Sequence, residues 1–147
     1  MTVENRKDQI GIIVVSHCNL AAELVRVAEL IVGPLVNCKS ICFDSHQAVD
    51  EMTRQLRAGI KEVDAGKGVL ILTDLFGGTP ANISLAFLGP KVEVICGANL
   101  PMLIKLAGSR QSENLAELAS TIKEYGKRHI SLASEVLSGS GKGSGNA

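Results

Sequence analysis

The chain has 147 residues, 46% of them hydrophobic, and its fifteen Lys and Arg balance fifteen Asp and Glu to a net charge of zero. That length suits one domain, which buries roughly 68–70% of its surface on folding and needs no disulfide or metal staple. Zero charge and the absence of Trp give no support to a nucleic-acid or acidic-membrane partner.

The first ten residues lack the apolar region of a signal peptide, and no apolar run approaches the ~20 residues of a membrane span. A cytoplasmic protein is the default expectation. The apolar run 10–16 predicts a first buried strand, with His17 directly after it. Asn19 can cap a helix over 20–31, where Leu20, Leu24, Val27 and Ile31 follow helical spacing. Gly33 and Pro34 end it. Residues 36–43 read as a second strand, with Ile41 and Phe43 on one face. A second helix is expected from Asp44 or Ser45 to about Asp64, with Val49, Met52, Leu56, Ile60 and Val63 inward and Gly66 as its stop.

A third strand covers 68–73, followed by Asp74 and the loop Leu75-Phe-Gly-Gly-Thr-Pro80. Thr79 is read as a helix N-cap and Pro80 as the first helical residue, where its missing N–H costs nothing. That helix runs to about Leu88, Gly89-Pro90 breaks the chain, and 91–96 forms a fourth strand. Another helix starts after Gly97-Ala-Asn99, with Pro101 near its start, and a last one spans about 114–132.

Strands alternating with helices predict an α/β fold, a doubly wound and mainly parallel sheet of four strands flanked by helices. The expected order is 2-1-3-4, with a switch point between strands one and three, where open sheets bind ligands. Residues 1–137 form the domain. Residues 138–147, rich in Gly and Ser without an apolar residue until the final Ala147, read as a flexible tail.

In this topology His17 and Asp74 share one crevice at adjacent strand ends. A carboxylate that accepts one imidazole N–H fixes the tautomer and leaves the other nitrogen free to attack. Gly77, Gly78 and Thr79 add backbone amides and a hydroxyl at a helix start, an arrangement that favours phosphate. A structural histidine and a simple capped turn are the plain alternatives. No P-loop lysine motif and no G-x-G-x-x-G is present, so a nucleotide site has little support.

Of the four cysteines, Cys38 and Cys42 do not form a C-x-x-C pair, and Cys42 and Cys96 lie in apolar runs. They read as reduced structural thiols. No metal and no cofactor is expected. His46 and His129 read as surface or capping residues, and Asp44 as a helix cap at the sheet edge. Cys18 neighbours His17, but a Cys-His hydrolase needs the thiol in line with the imidazole. Adjacent residues of an extended chain point to opposite sides.

Three blocks in order carry a resemblance: Gly11-Ile-Ile-Val-Val-Ser-His17, Leu72-Thr-Asp-Leu-Phe-Gly-Gly-Thr-Pro-Ala-Asn82 and Gly97-Ala-Asn-Leu-Pro-Met-Leu103. Together they resemble the mannose-family enzyme IIA component of the bacterial phosphoenolpyruvate-dependent sugar phosphotransferase system, over about residues 9–132. The resemblance implies that His17 takes a phosphoryl group from the phosphocarrier HPr, on Nε2, and passes it to a histidine of a separate IIB component. It implies that Asp74 holds the imidazole and that Gly77, Gly78 and Thr79 hold the phosphate.

The resemblance further implies a homodimer, with an extra antiparallel edge strand from residues 130–137 joining the partner's sheet, and association with a IIC/IID permease without membrane insertion. The pattern departs from the family after the nucleophile, where many members have Gly and this chain has Cys18-Asn19. Two other roles use the same site. One is a regulatory phosphoprotein whose His17 state controls a partner. The other is the phosphotransferase subunit of a dihydroxyacetone kinase.

Overall fold

A computed structural model describes residues 9–110 and 114–139. The elements are β1 (Gly11–His17), α1 (Leu20–Val32), β2 (Cys38–Phe43), α2 (Val49–Val63), β3 (Val69–Thr73), α3 (Thr79–Leu85), β4 (Val92–Cys96), α4 (Leu100–Ser109), α5 (Leu115–Arg128) and α6 (Ala133–Leu137). All strand pairs are parallel, and the order β2-β1-β3-β4 is the expected one. β1 and β3 read as continuous apolar runs because both faces of the central strands are covered.

Alternate residues of these strands feed two cores. Ile12, Val14, Leu70 and Leu72 pack against α1, α4 and α5 through Val25, Leu103, Leu106, Leu118 and Ile122. Ile13, Val15, Val69 and Ile71 pack against α2 and α3 through Met52, Leu56, Val63 and Ile83. The register sets the site: Val15 lies opposite Thr73, and His17 opposite Phe43. The C-terminal ends of β1, β2 and β3 therefore converge at one edge of the molecule.

Several local expectations are corrected. The inward face of α1 is Ala21, Val25 and Ala28, with Leu24 half-buried, while Leu20, Val27 and Ile31 stay exposed. Small alanines let the helix lie close to the sheet, and size outranked hydropathy there. α2 begins at Val49 rather than at Asp44 or Ser45, because Asp44 closes a turn of its own. Its Oδ1 accepts from His46 N–H at 2.9 Å, and its N–H donates to Gln47 Oε1 at 3.1 Å. This is an Asx-type turn, which competes with helix. Val49 is consequently exposed.

Gly78, not Thr79, holds the N-cap position of α3, so Thr79 and Pro80 move one step into the helix. Residues 130–137, the candidate for the added strand, contain the short helix α6 instead. That stretch closes local bonds from Glu135 N–H and Val136 N–H to Leu132 O. The tail reading falls on residues 138–147, of which 140–147 lie outside the described residues.

At the opposite end of the sheet the buried Arg110 (3% exposed) donates from Nη1 to Ile10 O at 3.3 Å and to Val36 O. It ties α4 to the starts of β1 and β2. Burial holds its guanidinium below the usual range. Nearby, burial pushes the Cys38 thiol up to about 12, with Arg110 pulling it down and Glu29 pushing it up. Cys38 is thus a protonated packing residue, in line with the structural reading.

Candidate active site

β1 ends at His17 because the residues beyond it leave the extended conformation: Cys18 takes φ +51. Cys18 N–H donates to Phe43 O at 2.9 Å and holds the turn against β2. Ser16, buried beneath the turn, accepts Ala21 N–H on Oγ at 2.6 Å and donates to Cys18 O at 3.3 Å. Asn19 occupies the N-cap position of α1 but makes no side-chain cap bond. Ser16 satisfies the helix start in its place, at a sequence spacing that no capping rule anticipates.

Asp74 enters from the end of β3. Its Oδ2 accepts His17 N–H at 3.0 Å and meets His17 Nδ1 at 2.7 Å, and its Oδ1 accepts Leu75 N–H at 3.0 Å. The carboxylate is mostly covered (9% exposed) and the imidazole is open (48%). Partial burial pushes the Asp74 carboxyl up. The hydrogen bonds and charge from His17, with the Leu75 N–H, outweigh this and hold it below the usual carboxylate value. An ionised carboxylate only accepts, so Nδ1 is the donor of this bond. In the neutral ring Nε2 then keeps its lone pair, directed away from Asp74.

The two glycines do different things. Gly77 has φ +88, the left-handed region where a side chain is strained. Gly78 lies against the imidazole: a Cβ there would meet His17 Cε1 at 2.8 Å and Nε2 at 3.4 Å. The bare backbone at the start of α3 thus faces the free nitrogen. Thr79 follows as the first residue of α3 and is exposed. All five sequence-predicted residues lie in one place: His17, Asp74, Gly77, Gly78 and Thr79.

A cavity of about 430 Å³ opens beside His17, lined among others by Cys18, Phe43, Asp44, Met52 and Pro80. Two readings change here. Asp44 lies at the site rather than away from it, because β2 pairs directly with β1. Cys18 lines the same cavity as His17, so the opposite-sides argument fails at a residue that has left the strand. Among the described residues no hydrogen bond joins its thiol to the imidazole, whose Nδ1 is occupied by Asp74. His46 is exposed. His129 takes the C-cap position of α5, pairs Nδ1 with Tyr125 O at 2.8 Å and stacks on the Tyr125 ring.

Among the described residues, no helix is long and apolar enough to cross a membrane. The family described as PTS system fructose IIA component matches residues 11–123. The mannose-specific EIIAB component of Escherichia coli K12 is 30% identical over 124 residues, which are 82% of this chain. The matched stretch is only 38% of the length of that relative. The sorbose-specific EIIA component of Lacticaseibacillus casei is 28% identical, covering 89% of this chain and 96% of its own length. The solved mannose/sorbose-specific IIA subunit of Enterococcus faecalis superposes with a TM-score of 0.76 at 31% identity, over 84% of this chain and 94% of that one. With the parallel 2-1-3-4 sheet and the histidine at its switch point, these likenesses make the chain a member of the mannose-family enzyme IIA components of the sugar phosphotransferase system.

Proposed function

We propose that the protein is a phosphoryl carrier in which His17 Nε2 takes a phosphoryl group from phospho-HPr and hands it to a histidine of a IIB component. The observation that carries this reading is the 2.7 Å contact between His17 Nδ1 and the covered Asp74 carboxylate, with Nε2 left open beside Gly78. In the transfer, the bond from phosphorus to the donor's imidazole nitrogen breaks and its electron pair stays on that nitrogen. A new bond forms from the lone pair of Nε2. The Nδ1 proton stays on His17, and Asp74 offsets the positive charge that develops on the ring. In this proposal the Gly77 and Gly78 amides and the Thr79 hydroxyl hold the phosphoryl oxygens. Transfer onward to IIB is the same step in reverse.

A homodimer is part of the proposal. β4 is an open sheet edge, and a groove of about 350 Å³ lies along it between Glu93, Ile95, Ala119 and Lys123. Ile130, Leu132, Val136 and Leu137 are large exposed apolar residues in the stretch after α5. An unpaired edge and a nearby apolar segment favour strand addition between two copies. Incubation with phosphoenolpyruvate, enzyme I and HPr tests the carrier role. The wild type should gain an acid-labile phosphate that His17→Ala cannot take up. A label that survives this substitution would sink the proposal.

A further inference from the structure

The last turn of α5 is tied down from two sides. Asn99, the N-cap of α4, accepts Met102 N–H on Oδ1 at 3.2 Å and donates from Nδ2 to Gly126 O at 3.0 Å. Gly126 is buried, and a Cβ there would meet Met102 Cγ at 2.8 Å, so the close approach of α5 to α4 needs a bare residue. On the other side His129 folds back over the helix end. Its backbone N–H donates to Tyr125 O at 3.1 Å, its Nδ1–H donates to the same oxygen at 2.8 Å, and its ring stacks on Tyr125 with the centroids 3.7 Å apart. Lys105 Nζ of α4 lies 5.3 Å from the centre of the Tyr125 ring. A helix continues when the next N–H reaches the carbonyl four residues back. For Ile130 that carbonyl is Gly126 O, which Asn99 holds. The chain leaves the helix as Ile130-Ser-Leu132, with Leu132 extended at φ −91, ψ 115. Ile130 is 77% exposed and Leu132 60%.

We infer that Asn99 and His129 are positioning residues for assembly: by ending α5 at Arg128 they keep residues 130–132 out of the helix, extended for pairing with the β4 edge of a second copy. The inference rests on the homodimer reading. β4 is the last strand of the sheet, and the groove beside it offers Ile95 and Ala119 to apolar side chains. Ile130 and Leu132 share a face only while the chain is extended, where alternate residues point the same way. In a helix they would stand about 200° apart around the axis, and the segment would rise about 1.5 Å per residue instead of about 3.3 Å. One more turn of α5 would therefore take both side chains off the partner's edge. A segment already extended also loses less conformational freedom on pairing.

The test joins sedimentation velocity, which gives the dimer dissociation constant, with the NMR Cα shifts of residues 130–132. The wild type should dimerise and show extended-type shifts there. Asn99→Asp keeps an acceptor for Met102 N–H but has no hydrogen to give Gly126 O. His129→Ala removes the ring and puts a strong helix former at the stop. Each should turn the shift of Ile130 helical and raise the dissociation constant about tenfold. His129→Gly, which ends a helix without a side chain, should return both readouts to near the wild-type values. Helical shifts at 130–132 in the wild-type dimer would overturn the inference and leave the homodimer reading intact. So would an unchanged dissociation constant in Asn99→Asp and His129→Ala, a raised one without helical shifts, or a His129→Gly protein as weak as His129→Ala. A wild type that stays monomeric would overturn the homodimer reading, and the inference with it.

Discussion

Asp74 does two jobs with one carboxylate: it pins the backbone N–H of His17 and orients its ring. Asp74→Asn should keep the fold but slow transfer from phospho-HPr by about 10²–10⁴-fold, since the amide can present the wrong tautomer and supplies no charge. Rapid-quench transfer kinetics would show this. The carboxyl is held below its ordinary value in the folded protein. The unfolded chain therefore binds more protons near pH 4. The stability Asp74 contributes is complete above its unfolded value and is lost as pH falls through the lower folded one. Urea denaturation of the wild type should lose a component below about pH 4 that is absent from Asp74→Asn.

The glycine pair separates conformation from contact. Gly77→Ala meets open space but sits at φ +88, so it should cost about 1–2 kcal/mol of stability. Gly78→Ala would drive a methyl into the His17 ring and should cut transfer by about 10²-fold with little loss of stability. Comparing denaturation midpoints and transfer rates of the two variants checks both. Cys18 holds φ +51 with a side chain, so Cys18→Gly should stabilise the fold by about 1 kcal/mol.

Among the elements, the central strands show how their chemistry becomes readable. β1 and β3 are largely apolar runs, and each brings a polar residue, His17 or Asp74, to its C-terminal end. The pairing of His17 with Asp74 was legible because adjacent parallel strands end at the same edge. The helices were harder to read. Leu20, Leu24, Val27 and Ile31 keep helical spacing, yet α1 buries Ala21, Val25 and Ala28. Spacing identifies a helix, but close approach to the sheet selects small residues on the buried side, and sequence hydropathy weighs against them. Ser16, Asp44 and Arg110 were not legible either. Their partners are set by where distant strands and turns come to rest, not by local spacing. Arg110→Ala would leave Ile10 O and Val36 O without their donor and open a void among α4, β1 and β2. It should cost about 3 kcal/mol, read as a lower urea midpoint, without altering the His17 ring titration at the other end of the sheet.

For the whole molecule, the arrangement separates support from chemistry. Arg110 braces the N-terminal end of the sheet, and the C-terminal end carries His17, Asp74 and the Gly77–Gly78 turn. Membership in the mannose-family enzyme IIA components supports the proposal that this end carries phosphotransfer. The central claim is that phosphate resides on Nε2 of His17 while Asp74 keeps the proton on Nδ1. The most direct measurement is ¹⁵N–³¹P coupling in the protein phosphorylated by phospho-HPr. The account predicts coupling to Nε2 of His17 and a retained Nδ1–H. Phosphorus on Nδ1, or on any other residue, would contradict it.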